Sequence, residues 1–207
     1  MSVPTSAAPA SSRVHTNKWL RGIVFTALFA ALFIAASFIK IPLPFSPVPI
    51  TLQSFAVMIA GGLLGAVYGF WSIFIVIILT ACGFQLMNGP GGFAQILGPT
   101  GGFIWMFPFA ALLIGWFSDK LFSGKKKLTI AQTVWLLLAV YAFGSLLLYV
   151  TGVPWLAHYS PKYDLHGAYM AGMYPFFIGD AIKAAAAALV IKALRPTLPS
   201  IRPIKNK

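Results

Sequence analysis

Long apolar runs, separated by short groups of Pro, Gly and charged residues, dominate the chain. Residues 41–118 contain no Asp, Glu, Lys or Arg. Since a helix needs about 20 apolar residues to cross a bilayer, this stretch accommodates three crossings with short connections. Dividing the apolar runs at Pro and Gly clusters predicts six membrane-spanning helices, over residues 19–39, 51–64, 66–84, 100–117, 128–150 and 175–194. The runs lack the apolar–polar alternation of barrel strands, so the predicted fold class is all-α.

Composition supports an integral membrane protein. The chain is 59% hydrophobic and 9% charged, whereas a soluble domain carries about a quarter charged residues. We predict a disordered Ser- and Pro-rich tail over residues 1–17, a six-helix membrane domain over 18–195 and a basic tail over 196–207. Arg13, Lys18 and Arg21 before the first apolar run also resemble a signal peptide, but five further spans favour a first membrane helix.

The basic residues predict the orientation. The net charge is +12, and of the 15 Lys and Arg residues only Lys40, Lys162 and Lys183 fall outside the N-terminal segment, the connection after the fourth helix and the C-terminal segment. With six crossings these three segments share one side of the membrane, so the positive-inside rule places both termini in the cytoplasm. The charge therefore indicates topology in a cell membrane rather than nucleic-acid binding.

The scarcity of acids and thiols excludes several kinds of chemistry. The chain has three Asp, no Glu and one Cys. Paired-carboxylate catalysis, acid-rich metal sites and Cys-pair zinc sites all need more of these groups. His158 and His166 have no supporting carboxylate or thiol set, and Cys82 is expected to pack in its apolar helix. We therefore expect no catalytic residues, no metal and no cofactor.

The loops predicted on the outer side have an unusual composition. Residues 40–50 contain four prolines, residues 85–99 are rich in Gly and Pro, and residues 151–174 carry Tyr, His and Trp. Amide and hydroxyl groups among apolar side chains suit an amphipathic small molecule. Ordinary interfacial loops with aromatic belts remain the alternative.

Asp180 and Lys183 are the strongest site candidates in the sequence. They lie three residues apart in an otherwise apolar span, so a helix places them on one face. Ionisable residues at such depth mark ligand or proton pathways, although a self-neutralising structural pair is the alternative. Gln53 and Asn88 are amides beside the first two loops that can donate and accept, or simply cap a helix.

Small residues form a stripe along the first predicted helix. Ala27, Ala31 and Ala35 recur every fourth residue, a spacing that permits close contact between helices. The stripe indicates either a docking surface for a partner or a packing seam inside the bundle.

Four segments in order resemble one family. PFSPVPITLQSFAVMIAGGLLG, LGPTGGF, GVPWL and PFFIGDAIKA, from about residue 41 to 184, are similar to the BioY family of biotin-specific S components of energy-coupling factor (ECF) transporters. The resemblance implies a six-helix fold, a vitamin pocket below the outer loops, and partnership with a transmembrane T component and two ATPases. It also implies that Asn88, Asp180 and Lys183 contact biotin and that the alanine stripe docks the T component. Phe103 departs from the family, in which many members carry Tyr after GPTGG.

The chemistry of biotin agrees with these residues. We expect Asp180 to accept from a ureido N–H, and Lys183 and Asn88 to bind the remaining polar positions. The candidates for packing against the rings of biotin are Phe45, Phe93, Trp155 and Tyr174. The group that binds the carboxylate stays open, and an autonomous carrier for biotin or another vitamin is the alternative function.

Overall fold

A helical bundle with a small hairpin forms the described structure. The computed structural model describes residues 10–125 and 127–198. Its α-helices are α1 (Ala10–Phe38), α2 (Gln53–Leu64), α3 (Ala66–Ala81), α4 (Gly92–Ile96), α5 (Gly101–Leu121), α6 (Ile130–Tyr141), α7 (Leu147–Tyr159), α8 (Leu165–Gly172) and α9 (Phe177–Leu194). A π-helical turn, Ala142–Leu146, joins α6 to α7, and a 3-10 turn, Tyr174–Phe176, precedes α9. The predicted helical class is confirmed, with the addition of strands β1 (Lys40–Leu43) and β2 (Ser46–Thr51).

Helix α5 lies at the centre of the bundle. It packs against α2, α3 and α7, while α1 packs on α3, and α9 packs on α2 and α6. A side chain at Gly61 of α2 would overlap the carbonyl of Ala111 in α5, so glycine permits the close approach of these two helices. Within the described residues, three helical segments are long and apolar enough to cross a membrane, namely Trp19–Phe38, Gly101–Leu121 and Ile130–Tyr159.

The division between the second and third predicted helices is confirmed. Only Gly65 separates α2 from α3, and its φ of 84° lies in the left-handed region that glycine tolerates. A side chain there would also approach within 2.7 Å of Asp119 Oδ1. Two apolar runs that could form one long helix therefore form two short ones.

The predicted end of the fifth helix is wrong. The π-helical turn continues α6 into α7, so helix extends through residues 151–159, which we predicted as loop. Pro154 removes one backbone hydrogen bond, but two side chains anchor this helical turn. Thr151 Oγ1 donates to the carbonyl of Gly102 at 2.9 Å, and Trp155 Nε1 donates to that of Gly98 at 2.8 Å. Part of the remaining loop forms α8.

Two local predictions also need correction. Residues 10–17, predicted as part of a disordered tail, extend α1 instead, while residues 1–9 of that tail and 199–207 of the C-terminal tail lie outside the described residues. Cys82 is exposed rather than packed, because α3 ends at Ala81 and the chain turns away from the core there.

The proline-rich segment forms a two-stranded antiparallel hairpin. Lys40 pairs with Thr51 and Ile41 with Ile50, after which the register shifts to accommodate the prolines. Ser46 Oγ accepts from the backbone N–H of Val48 at 3.1 Å and donates to the carbonyl of Ala171 in α8 at 2.7 Å. These bonds attach the hairpin to the bundle.

A buried arginine joins the ends of α2, α5 and α9 that lie away from the hairpin. Arg195 donates to the carbonyl of Gly62, to Ser118 Oγ and to Asp119 Oδ1. Asp119 Oδ2 also accepts from the backbone N–H of Ala66 at 3.2 Å. Arg195, which we counted only as a topology charge, therefore holds three helix ends together.

Candidate ligand-binding site

A cavity lies where the hairpin and the loop before α5 cover the N-terminal ends of α2, α5 and α9. Its volume is about 470 Å³, within the range of about 300–1,000 Å³ found for small-molecule sites. The lining comes from the hairpin, the loop of residues 87–100 with α4, the 3-10 turn before α9, and the helices α1, α2, α5, α7, α8 and α9. The site therefore depends on the tertiary fold rather than on one motif.

A connected polar group forms one wall of the cavity. Lys183 Nζ donates to Asp180 Oδ1 at 2.9 Å and to Ser54 Oγ at 3.3 Å. Tyr149 Oη donates to the other oxygen of Asp180, Oδ2, at 2.7 Å. Asp180 is only 6% exposed, yet all four residues line the cavity. The predicted contact between Asp180 and Lys183 is confirmed, and the pair both neutralises itself and faces the cavity.

The position of Asp180 follows from the start of α9. The 3-10 turn with Pro175 precedes the helix, and Asp180 lies in its first turn. A carboxylate at this place interacts favourably with the positive end of the helix dipole. Lys183 follows one turn later on the same face, where its ammonium reaches the carboxylate.

The open side of the cavity carries neutral amides and one lysine. Lys40 Nζ donates to Asn88 Oδ1 at 2.8 Å, linking the start of the hairpin to the second loop. Gln53 Oε1 accepts from Thr51 Oγ1 at 3.2 Å. Gln95 Oε1 accepts from the backbone N–H of Gly91 at 3.1 Å, which orders the loop beside the cavity.

Apolar side chains complete the lining. The aromatic ones are Phe103 and Phe107 of α5 and Phe176 before α9, each less than a tenth exposed. The aliphatic ones are Val48, Met87, Ile104 and Leu148. A cavity with apolar walls and one polar cluster suits a compact ligand that carries a polar ring on an apolar body.

The fold brings four of the eight predicted ligand residues to the cavity, namely Gln53, Asn88, Asp180 and Lys183. The four predicted aromatic residues lie elsewhere. Phe45, Phe93 and Tyr174 are each more than 60% exposed, and Trp155 packs behind the first turn of α5.

Several other residues that line the cavity could not be predicted from the sequence. Tyr149 lies in the apolar run LLLYV, where nothing marks it as a partner of Asp180. Ser54 and Phe107 are likewise ordinary residues within predicted helices. In the sequence, Lys40 differed from most basic residues only because it falls on the predicted outer side of the membrane. Only packing of the helices brings these side chains together.

The stripe of Ala27, Ala31 and Ala35 lies on the exposed face of α1, opposite the buried Phe29 and Phe33. These alanines therefore do not form a packing seam inside the described bundle.

Comparison with known proteins identifies the family. The model of the BioY family matches residues 7–200, which is nearly the whole chain. The chain belongs to the BioY family. The BioY resemblance found in the sequence motifs is therefore confirmed, and it covers the hairpin, the loops and the helices that form the cavity.

Two curated BioY relatives match over most of their own length. A Rhizobium etli protein named a biotin transporter BioY is 38% identical over 185 residues, which cover 87% of this chain and 97% of that protein. A Pyrococcus horikoshii protein named a probable biotin transporter BioY is 36% identical over 174 residues, covering 84% of this chain and 95% of that protein.

A solved structure shares the fold. The crystal structure of the S component for biotin from an ECF-type ABC transporter aligns with a TM-score of 0.76 and 31% sequence identity. The alignment covers 91% of this chain and 95% of that one. This BioY protein thus has the fold of an ECF S component and is a multi-pass protein of the cell membrane.

Proposed function

We propose that the chain binds biotin in the cavity described above and serves as the substrate-binding subunit for biotin uptake. The observation that carries the proposal is the buried Asp180–Lys183 pair, which faces a cavity of suitable size in a BioY-family fold. Relatives named biotin transporters match over almost their full length. The chain is a transport component and not an enzyme, and biotin is its cargo.

The polar groups of the cavity complement the ureido ring of biotin, which has two N–H donors and one carbonyl acceptor. A carboxylate offers about four lone-pair positions, so Asp180 can accept from the ligand while it holds Tyr149 and Lys183. Lys183 and the amide group of Asn88 can donate to the ureido oxygen. Phe103, Phe107 and Phe176 then enclose the ring system, in place of the aromatic loop residues expected from the sequence.

We further propose six membrane crossings with both termini in the cytoplasm and a membrane domain over residues 18–195. The distribution of basic residues supports this orientation, and α1, α5 and the continuous helix Ile130–Tyr159 have the required length. The shorter α2, α3 and α9 supply the other three crossings.

Single cysteines placed at Lys125 and Lys162 in a Cys82→Ser background test this topology. Labelling of intact cells by an impermeant maleimide is expected only at position 162.

The proposed partners are a T component and two ATPases of an ECF module. The exposed alanine stripe of α1 supports this partnership, because it offers a flat surface on which another helix can pack closely. Uptake should therefore require co-expression of the module. Biotin uptake by this chain alone in proteoliposomes would instead make it an autonomous carrier.

Titration calorimetry of the detergent-purified chain tests the ligand directly. We expect saturable one-to-one binding of biotin, weaker binding of desthiobiotin, which retains the ureido ring, and no binding of thiamine. A site that hydrogen-bonds a buried polar ring rejects compounds without that ring, since its own groups are left unpaired. Absence of heat with biotin in folded protein would refute the proposed ligand.

A further inference from the structure

The three charged side chains that line the cavity differ in how they are neutralised. Asp180 and Lys183 form an ion pair with each other, so together they contribute no net charge. Lys40 instead donates to the side-chain oxygen of Asn88, which is a neutral acceptor. The lining therefore carries an excess of one positive charge, and that charge lies on Lys40.

The acidic side chains of the chain are all engaged elsewhere. Only three exist, and there is no Glu. Asp119 binds Arg195, Asp180 binds Lys183, and Asp164 Oδ1 accepts from the backbone N–H of Gly167 at the start of α8 at 2.7 Å. Lys40 thus retains a charge beside the cavity that a ligand anion can neutralise.

We propose that Lys40 binds the carboxylate of the ligand at the open end of the cavity and so sets the ligand's orientation. This inference rests on the proposed function, because biotin carries one carboxylate at the end of its tail. Lys40 then becomes a residue that distinguishes the free acid from neutral derivatives.

Desolvation explains why the carboxylate belongs at this end. Lys40 is exposed, whereas Asp180 is only 6% exposed. A carboxylate placed beside Asp180 would lose its hydration and meet a like charge, both of which are costly. At Lys40 it keeps part of its hydration and gains an opposite charge. The fused ring system, with its ureido group at Asp180, occupies the buried part of the cavity.

The test compares biotin with biotinamide, in which a neutral amide replaces the carboxylate, on four purified proteins: the unmodified chain, K40Q, K40R and K162Q. Lys162 is a matched control because it lies on the same side of the bundle but outside the cavity lining. We expect the unmodified chain and K162Q to prefer biotin about tenfold, which corresponds to about 1.4 kcal/mol. K40Q should bind the two compounds equally, and K40R should keep most of the preference.

Salt dependence gives a second readout on the unmodified chain alone. Binding of biotin should weaken between 50 and 500 mM salt, because the ion pair at Lys40 is exposed to screening, whereas binding of biotinamide should not change. This measurement needs no variant and so does not depend on the folding of K40Q.

The outcomes separate this inference from the proposed function. A preference for biotin that persists in K40Q would overturn the role of Lys40. Equal binding of biotin and biotinamide by the unmodified chain would do the same, while leaving biotin as the ligand. Failure of the unmodified, folded chain to bind either compound would instead overturn the proposed function itself.

Discussion

Asp180 and Lys183 neutralise each other and also face the ligand cavity, and a double-mutant cycle separates these two roles. The variants are Asp180→Asn, Lys183→Met and the double variant. Removing one partner of a fully buried ion pair costs about 3–5 kcal/mol of stability. In Asp180→Asn the amide oxygen still accepts and Lys183 keeps Ser54, so we expect a smaller loss of about 1–2 kcal/mol. This corresponds to a Tm lower by about 2–8 °C.

The expected loss in binding is larger than the loss in stability. A hydrogen bond to a charged group contributes about 1.5–3 kcal/mol, so losing the one from the ureido N–H should weaken biotin binding roughly 10- to 100-fold. Lys183→Met leaves a buried carboxylate held by Tyr149 alone and should lower the Tm further. The double variant removes both charges, and its stability should return close to that of the unmodified chain. Its affinity should stay low.

Titration calorimetry and thermal unfolding in the same detergent measure both quantities on each variant. Thr80→Ala is the control, because Thr80 is fully buried in α3, away from the cavity, and its hydroxyl donates to the carbonyl of Val76 one turn earlier in the same helix. It should lower the Tm slightly and leave biotin affinity unchanged. If the double variant regains affinity together with stability, the pair is purely structural and the ligand role assigned to it is wrong.

Three further substitutions test other parts of the structure. Arg195→Ala should lower stability by about 2–3 kcal/mol, since it removes the hydrogen bonds that Arg195 donates to Gly62, Ser118 and Asp119, and a lower Tm with unchanged biotin affinity would agree. Gly65→Ala should cost more than about 1 kcal/mol because of its positive φ, and an unchanged Tm would contradict this. Ala31→Leu should reduce co-purification with the T component without changing biotin binding, whereas Val134→Leu, on the exposed face of α6, should leave both unchanged.

Much of the fold could be predicted from linear pattern because membrane helices are encoded locally. Apolar length and the scarcity of charge predicted the helical class, and the glycine between two apolar runs predicted the break at Gly65. The end of the fifth helix could not be predicted in this way. A proline such as Pro154 is typical of a helix end. Here, hydrogen bonds from Thr151 and Trp155 to the carbonyls of Gly102 and Gly98 hold this part of the helix in place.

Only some residues of the candidate site could likewise be predicted from the sequence. Asp180 and Lys183 could be recognised because ionisable residues in an apolar run are unusual and their spacing puts them on one helix face. Tyr149 and Phe107 could not, because a tyrosine or phenylalanine within an apolar helix looks the same whether it faces lipid, core or ligand. The aromatic loop residues expected at the ligand lie outside the cavity. The composition of a loop does not determine which way its side chains point.

The sequence by itself determined that the chain is a helical membrane protein of the BioY family and that one polar pair lies within an apolar span. These properties depend on composition, short motifs and spacing along one helix. Tertiary structure alone decided which side chains surround the cavity, that Arg195 holds three helix ends together, and that Lys40 lies beside Asn88 at the open end. The physical reason is that such contacts join residues far apart in sequence, and only the packing of helices against one another brings them within bonding distance.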